Sequence, residues 1–443
     1  MTKDDRETIA RRTLSYSNAD TTEVLVATQH SALTRFTHGI SNQNVASANA
    51  LVSVRAIVDG QTGVAGTNHL DDASLEDTVK RAIAMAALAP SDPALAPLPS
   101  GGATKAPHGA YVAATATADP FVRAKICDAI FDETEKAGFW SAGFAATATS
   151  GYTVANTRGV LASFDGTDAS VNVKMTAKDS TGFAEAYTTN VEAIDAAAIG
   201  HRACEKARTS ASPRAIEPGH WTVILEPAAF GELMRYLTGH FSAQSFDEGS
   251  SFCSDGLDRS YFPENVTIGD DYAHPLAPGM PFDFEGQPKQ RLTLVDAGVV
   301  RNIVTDSYYA HKLNRPNTGH ALPAPNAHGP QVLNLTVAPG THSAQELVAN
   351  TTRGLLITRF WYIRTVDPKR AIVTGMTRDG TFLIEHGRIA GGVHNLRFNQ
   401  SILEALRHAT FANDQHRTSQ YDFSAVVPTV KIDGFNFTST TEF

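Results

Sequence analysis

Alternation and helical spacing of apolar residues divide the first half of the chain into strands and amphipathic helices. Strand-like alternation is clearest over 23–28, 31–37 and 52–58, and a polar, asparagine-rich segment separates the last two. The dipeptide Asp59-Gly60 favours a tight hairpin turn. A run of strands is predicted over 141–188. Apolar residues at helical spacing predict helices over 4–17, 72–88, 119–137 and 192–208, and Phe121 on the third helix is expected to face a core.

The second half is richer in strand patterns. A strand over 220–225 leads through Pro227, which suits a first helical turn, into a helix over 228–237. Further helices are predicted at 343–353 and 401–410, and strands at 266–268, 291–295, 299–306, 333–337, 354–362, 371–378 and 381–385. The aperiodic segment 209–219 contains two prolines and ends in glycine, so we expect it to link two domains, 1–208 and 220–443. The pattern predicts the α+β class, with antiparallel sheets and helices in each half.

Composition narrows the class of protein. The 443 residues are 42% hydrophobic and 19% charged, which is typical of a globular chain with a substantial core. A formal net charge of −9 argues against nucleic-acid binding, because phosphate contacts need a basic surface. Three widely separated cysteines do not form a disulfide framework, so we expect a reducing cytoplasm. The charged start predicts no signal peptide, and no apolar run is long enough to predict a membrane span.

A series of short motifs in order gives the chain a resemblance to a known family. The motifs include SALTRFTHGISNQN (31–44), EPGHWTVILEPAAFGELM (217–234), PFDFEGQP (281–288), DSYYAHKL (306–313), NTGHA (317–321) and FLIEHGRI (382–389). Each motif is degenerate alone, but together they resemble the TldD/PmbA family of zinc peptidases and their partner subunits. The resemblance implies two-domain α+β subunits that pair into dimers around a cavity.

The catalytic subunits of that family carry a His-Glu-x-x-x-His motif in the helix that follows the EP strand. The resemblance implies that its two histidines and a cysteine near the carboxyl end bind zinc, and that its glutamate is the general base. The matching stretch here is Arg235-Tyr-Leu-Thr-Gly-His240, in which Gly239 and His240 fit the motif. Arg235 stands in place of the first histidine and Tyr236 in place of the glutamate. No cysteine lies within 413–443.

These departures assign the chain, within the resemblance, to the PmbA (TldE) type. The resemblance then implies no catalytic residue and no metal in this chain, zinc in a TldD-like partner carrying the HExxxH motif, and a small or unfolded peptide as the substrate. Two alternatives stay open. The chain could act alone as a homodimeric binding protein for peptides or amides, or as a hydrolase with a non-standard metal site.

Several residues are expected to line the cavity: Asp283, Glu285, Gly286, His311, Arg359, Trp361 and Arg378. Turn-forming and capping roles are the simpler interpretation of Asp283, Glu285 and the pair Asp270-Asp271. A metal cluster of His311, His320 and His328, with Asp306 as a fourth ligand, is conceivable. Its spacing matches no standard zinc pattern, so structural or surface roles are favoured. Serines and Cys253 near His240 invite a nucleophile interpretation, but no G-x-S-x-G motif supports it.

An aromatic run, Phe360-Trp361-Tyr362, lies between two arginines, Arg359 and Arg364. In a regular strand Phe360 and Tyr362 would share one face and Trp361 the other. A core-and-interface role is favoured over nucleic-acid stacking because the chain is acidic, and the arginines could contact a peptide carboxylate.

Overall fold

The computed structural model describes residues 1–102, 104–420 and 423–441. Within these ranges, no helix is both long enough and apolar enough to cross a membrane. The chain folds into one large antiparallel sheet in its first half and two further sheets in its second half, with helices packed against them. The expected α+β class is confirmed.

The first half is built on a six-stranded antiparallel sheet in the order β3-β2-β1-β4-β5-β6. Its strands are β1 (Thr21–Thr37), β2 (Ile40–Val58), β3 (Gln61–Thr67), β4 (Trp140–Asn156), β5 (Leu161–Thr176) and β6 (Thr181–Thr188). Its helices are α1 (Lys3–Ser15), α2 (Asp72–Ala86), α3 (Ala113–Ala116), α4 (Pro120–Ala137) and α5 (Ala196–Thr209). Helices α4 and α5 cover one face of the sheet with apolar residues, among them Ile130, Ile199 and Ala203.

Local signals fixed the helix starts and one hairpin. Asp71 caps α2 by accepting a hydrogen bond from the Ser74 amide, and Asp119 caps α4 by accepting one from the Val122 amide. Asp59 and Gly60 both have positive φ and join β2 to β3 in two residues, as predicted.

Two predictions for the first half are wrong. The polar segment expected to separate two strands is itself strand, because β2 runs from Ile40 to Val58 and pairs with β1 along its length. The strands turn at His38-Gly39, where both φ angles are positive. Phe121 does not face a core. It lies in the first turn of α4 and is 75% exposed.

The second half contains two sheets. One has the order β18-β19-β12-β9-β10-β11-β8, and the other runs β13-β7-β20-β16-β14-β15 and closes on itself because β13 also pairs with β14. The strands are β7 (Gly219–Leu225), β8 (Arg259–Ser260), β9 (Ile268–Asp270), β10 (Leu292–Asp296), β11 (Val299–Val300), β12 (Asn334–Val337), β13 (Arg353–Asp367), β14 (Ile372–Glu385), β15 (Arg388–Gly392), β16 (Leu396–Ser401), β17 (Ala409–Phe411), β18 (His416–Gln420), β19 (Phe423–Val427) and β20 (Val430–Thr440).

The helices of this half are α6 (Pro227–Thr238), α7 (Ala243–Asp247), α8 (Ser307–Lys312), α9 (Ala344–Ala349) and α10 (Ile402–Arg407). Phenylalanines fill the space inside the closed sheet, with Phe360, Phe398 and Phe435 in mutual ring contact. Strand predictions differ in two places. The pattern over 299–306 yields only the two-residue β11, and the segments 371–378 and 381–385 form the single strand β14.

Candidate functional site

A cavity of about 380 Å³ lies between the six-stranded sheet and the second half of the chain. Strands β4, β5 and β6 form its floor, and α6, β13, β18 and β19 form its walls. Its lining combines aromatic and charged side chains, namely Phe144, Asp168, Phe183, Glu185, Tyr187, Glu232, Arg235, Arg359, Trp361 and Phe423. A neighbouring cavity of about 610 Å³ shares Phe183, Glu185 and Tyr187, so the two spaces form one cleft along β6.

Strand register places the floor residues on one face of the sheet. Phe144 lies opposite Asn172 across β4 and β5, and Asn172 lies opposite Glu185 across β5 and β6. Directly opposed residues project to the same face. The row therefore brings an aromatic ring, an amide and a carboxylate to the same side of the cavity.

Glu185 is the most perturbed acid of this floor. Protein surrounds its carboxylate while the cavity leaves part of the side chain open to water, and this burial raises the pKa of Glu185 to about 7. The Tyr187 hydroxyl donates a hydrogen bond to Glu185 Oε2 at 3.2 Å. Burial also raises the pKa of Tyr187, and the adjacent carboxylate adds to the shift. Glu185 can therefore hold or release a proton near neutral pH.

Two arginines of the walls are held by carboxylates. Arg359 Nε donates to Asp379 Oδ2 at 2.9 Å, and its guanidinium carbon lies 4.1 Å from the Phe183 ring centre. Arg417 pairs with Asp168 across the two halves of the chain. Both guanidiniums are thereby fixed in place and largely neutralised.

Helix α6 carries Arg235 and Tyr236, which the resemblance places at the His-Glu positions of the HExxxH motif. Its close approach to β18 requires a glycine, since a Cβ at Gly231 would lie 2.3 Å from Thr418 Oγ1. Arg235 lies in the last turn and lines the cavity, and its guanidinium carbon is 5.6 Å from the Tyr236 ring centre. The Tyr236 hydroxyl donates to the Ile363 carbonyl at 2.7 Å. The helix ends at Thr238, one residue beyond the predicted end at 237, and is followed by a 3-10 turn over Gly239–Phe241.

His240 is buried, and its side chain is engaged with the protein backbone. It is 8% exposed, burial lowers its pKa to about 4, and its Nδ1 accepts a hydrogen bond from the Phe252 amide at 3.4 Å. A zinc ion would therefore meet a guanidinium, a phenol engaged with a carbonyl and a buried imidazole. This donor set does not fit zinc. Among the described residues, no group of three or more His, Cys, Asp or Glu side chains is placed to hold a metal ion.

The remaining residues expected at the cavity are dispersed. Trp361 and Arg359 line it, whereas Arg378 lies outside its lining and contacts the Trp361 ring at 5.0 Å. His311 is at the surface beside the Ala94 carbonyl. The other two members of the suggested histidine cluster differ in burial: His320 is fully buried and His328 is exposed.

The PFDFEGQP motif lies in a separate, closed contact between the halves. Asp283 is fully buried and accepts hydrogen bonds from the amides of Glu285, Gln287 and Ala321, so its turn-forming role is confirmed. Gly286 has φ of 78°, and a Cβ there would lie 2.4 Å from Val160 Cγ1. Neither Asp283 nor Gly286 lines the cavity of the cleft.

Glu285 lies in the predicted turn, which the Gly286 amide closes by donating to the Asp283 carbonyl at 2.9 Å, and its side chain also joins an ion-pair network. It accepts from Arg55 Nη1 at 3.1 Å and from the Ser307 amide at 3.1 Å, and Arg55 also donates to Glu23 at 2.8 Å. Glu285 and Arg55 also line a second cavity, of about 580 Å³. Asp270, in contrast, lies in strand β9 and not in a turn. Its carboxylate accepts hydrogen bonds from the amides of Leu333 and Asn334.

The run Phe360-Trp361-Tyr362 departs from regular alternation. Phe360 is buried, but Trp361 is 44% and Tyr362 58% exposed. An irregularity in the pairing of β13 with β14 after Trp361, together with the positive φ of Tyr362, turns Tyr362 away from the face of Phe360.

Sequence reasoning missed Glu185, Tyr187 and Asp168. A signal was present for the first two, because polar residues two apart in a strand share a face. Their convergence with α6 and β13 depends on how distant segments pack, which no local pattern encodes.

Comparison with known proteins identifies the family. Three family profiles match consecutive parts of the chain: PmbA/TldA metallopeptidase domain 1 over 22–86, the central domain over 111–211 and the C-terminal domain over 218–439. The chain belongs to the PmbA/TldD family. Domain 1 and the central domain both contribute strands to the six-stranded sheet of this family member.

Relatives of this PmbA/TldD chain differ in how much of it they match. The metalloprotease PmbA of Escherichia coli O157:H7 is 25% identical over 243 residues, 53% of this chain and 51% of that protein. The chain is thus matched to about half the length of this relative. A zinc metalloprotease TldD homolog of Saccharolobus solfataricus is 26% identical over 147 residues, 31% of each chain. The crystal structure of TldE from Thermococcus kodakarensis superposes with a TM-score of 0.88 at 19% identity, covering 97% of this chain and 99% of that one, which establishes the same fold.

Proposed function

We propose that this chain is the metal-free subunit of a two-chain metallopeptidase of the PmbA/TldD family. A TldD-like subunit with the HExxxH motif would supply zinc, the general base and the attacking water. The observation that carries the proposal is the chemistry at the end of α6, where Arg235 and Tyr236 take the places of a zinc ligand and the base. A cation at this position would be repelled by the guanidinium.

The contacts of Tyr236 and His240 support the same conclusion. Each is engaged with the protein itself, Tyr236 through the Ile363 carbonyl and His240 through the Phe252 amide. Recruiting either side chain to a metal would break its hydrogen bond, which is buried for His240 and partly buried for Tyr236, and this costs free energy.

The cavity gives this subunit a role beside the catalytic one. Its volume of about 380 Å³ falls within the range of small-ligand sites. The rings of Phe183 on the floor and Trp361 on a wall can contact side chains of a peptide. Glu185 and Tyr187 can form hydrogen bonds with its amide or ammonium groups. We propose that the cleft holds part of a small or unfolded peptide substrate while the partner subunit cleaves it.

The experiment is reconstitution with a purified HExxxH-containing family member. The two chains should co-elute, and the mixture should cleave unstructured peptides faster than either chain alone. Elemental analysis should find zinc with the partner and none in stoichiometric amount with this chain. Equal cleavage by the partner alone would contradict the subunit role. We expect the complex to act in the cytoplasm, in keeping with three buried, unpaired cysteines.

A further inference from the structure

The second cavity, of about 580 Å³, is a space that the proposed function does not use. Residues of β2, β3 and α2 line it from the first half of the chain, and α8 and the segment 321–329 line it from the second half. Among the residues that the structure describes, it shares no lining residue with the cleft. Its volume falls within the range of small-ligand sites, so it can hold a ligand independently of the cleft.

The charged groups around this cavity leave it acidic. In the described part of the chain, its charged lining residues are one arginine and three acids, namely Arg55, Asp92, Glu285 and Asp306. Arg55 is already shared between Glu285 and Glu23. The positive charge of the lining is therefore more than neutralised, and a cation that enters would meet an excess of negative charge.

Asp306 is the buried acid of this cavity that lacks a cationic partner. It is 7% exposed and caps α8, since its Oδ1 accepts from the Tyr309 amide at 2.8 Å. No other described residue donates a hydrogen bond to this carboxylate or forms an ion pair with it. Lys312 of the same helix pairs with Asp247 at 2.6 Å instead. Burial, and after it the hydrogen bond to Tyr309 and the charge of Glu285, sets the pKa of Asp306 at about 6, above its ordinary value.

The rest of the lining suits an organic cation better than a metal ion. Tyr308 and Tyr309 both line the cavity, and aromatic rings attract ammonium groups. Apolar lining residues, among them Met85, Leu95 and Leu322, can contact a carbon chain. A metal ion would lack ligands, because no three His, Cys, Asp or Glu side chains of the described residues are grouped to hold one.

We propose that this cavity binds a primary ammonium group carried on an aliphatic chain, with Asp306 as its ion-pair partner. The ammonium donates to the Asp306 carboxylate, and the chain lies against Tyr308, Tyr309 and the apolar lining. A free aliphatic amine and the lysine side chain of a peptide both offer this chemistry, and the cavity is large enough for either.

The first test is calorimetric titration of the purified full-length chain with matched probes. Diaminobutane represents a free amine, with butanediol as its neutral counterpart. Nα-acetyl-lysine amide represents a peptide side chain, with Nα-acetyl-norleucine amide as its neutral counterpart. At least one ammonium probe should bind ~10-fold or more tightly than its counterpart, because a charge-assisted hydrogen bond is lost in the neutral compound. Whichever probe binds identifies the source of the ammonium group. Equal affinities within both pairs, or no binding, would overturn the proposal.

A second test assigns the binding to Asp306. Asp306→Asn removes the charge but keeps a residue that caps helices well, so the fold should survive, and the ammonium probe should bind ~10-fold or more weakly. Asp119→Asn is the matched control, since Asp119 caps α4 outside the cavity and the change in net charge is the same. That variant should bind like wild type.

Three outcomes of this second test would overturn the proposal. They are unchanged binding in Asp306→Asn, an equal loss in Asp119→Asn, and calcium chloride binding that exceeds that of either ammonium probe and is lost in Asp306→Asn. The last would assign the cavity to a metal ion. These measurements need neither peptide cleavage nor a partner subunit, so their failure is distinguishable from failure of the proposed function.

Discussion

The cleft and the contact at PFDFEGQP both lie between the first-half sheet and the second half of the chain. Each contains a glutamate, Glu185 in the cleft and Glu285 in the contact, and the two have different surroundings. Glu285 is 6% exposed and shares Arg55 with Glu23 while also accepting the Ser307 amide. Glu185 accepts the Tyr187 hydroxyl and faces a cavity. Both carboxylates line a cavity, but Arg55 and the Ser307 amide hold the two carboxylate oxygens of Glu285. Glu185 can exchange a proton near neutral pH. Sequence reasoning selected Glu285 through its motif and missed Glu185.

The largest effect should come from removing the shared cation of the closed contact. Arg55→Met would leave two buried carboxylates without their partner, and we expect a loss of about 3–5 kcal/mol in the free energy of unfolding. Urea denaturation followed by circular dichroism measures it. Arg81→Met is the control, because its ion pair with Asp77 is exposed and should contribute less than ~1 kcal/mol. Similar losses in the two variants would show that the closed contact is not a structural lock.

The next effect concerns the backbone of the same contact. Gly286→Ala would place a Cβ 2.4 Å from Val160 Cγ1 in a left-handed conformation, and we expect a loss of about 2–4 kcal/mol. Gly239→Ala provides the comparison, since its φ is −59° and its Cβ would meet open space. That variant should be neutral or slightly more stable in the same denaturation experiment. An unaffected Gly286→Ala would mean that Val160 can move aside.

A smaller, pH-dependent effect should distinguish Glu185. Its pKa is raised to about 7 from 4.5, so the folded chain favours the protonated acid. Stability from this group is fully present below pH 4.5 and is lost as the pH rises through 7. Glu185→Gln should match wild type at pH 4.5 and exceed it by about 1–2 kcal/mol at pH 8, a value kept low because water reaches the side chain. Burial also raises the pKa of Glu23 to about 7, so the informative quantity is the difference between variant and wild type. A constant difference across the range would contradict the assigned shift.

The smallest effect on stability should come from the aromatic wall. Trp361→Ala and Tyr362→Ala both remove exposed rings, and we expect each to cost less than ~1 kcal/mol. Only Trp361 lines the cavity. In the reconstituted complex, Trp361→Ala should therefore raise KM for peptides several-fold while Tyr362→Ala leaves it unchanged. Equal KM values would remove Trp361 from the peptide-binding surface.

The features that sequence predicted are those with local causes. Capping by Asp71 and Asp119 and the Asp59-Gly60 turn depend on a few neighbouring residues, so their positions could be inferred. The helix predicted over 228–237 through the position of Pro227 is α6, which ends at Thr238. The first half of β2 could not be inferred from alternation, because it is exposed on both faces and its strand conformation comes from backbone pairing with β1.

The residues of the candidate site could be predicted from the sequence only in part. Arg235, Arg359 and Trp361 were selected through their motifs, and they do line the cleft. Glu185 and Tyr187 were not, because their environment is created by α6, β13, β18 and β19, which follow them in the chain and reach the cavity only when the two halves pack together. The turn position of Glu285 could be predicted from the motif, but its partner Arg55, 230 positions away in sequence, could not.

Arg55, which pairs with both Glu23 and Glu285, also affects how the two halves of the chain fold. Severed within 209–219, the amino-terminal fragment would carry Arg55 and Glu23 without Glu285, and the carboxyl-terminal fragment would carry Glu285 without its cation. Each fragment would therefore expose charged groups that are paired and buried only when both halves are present. We therefore expect the intact chain to melt in one cooperative transition, and separately expressed halves to become ordered only when they are mixed.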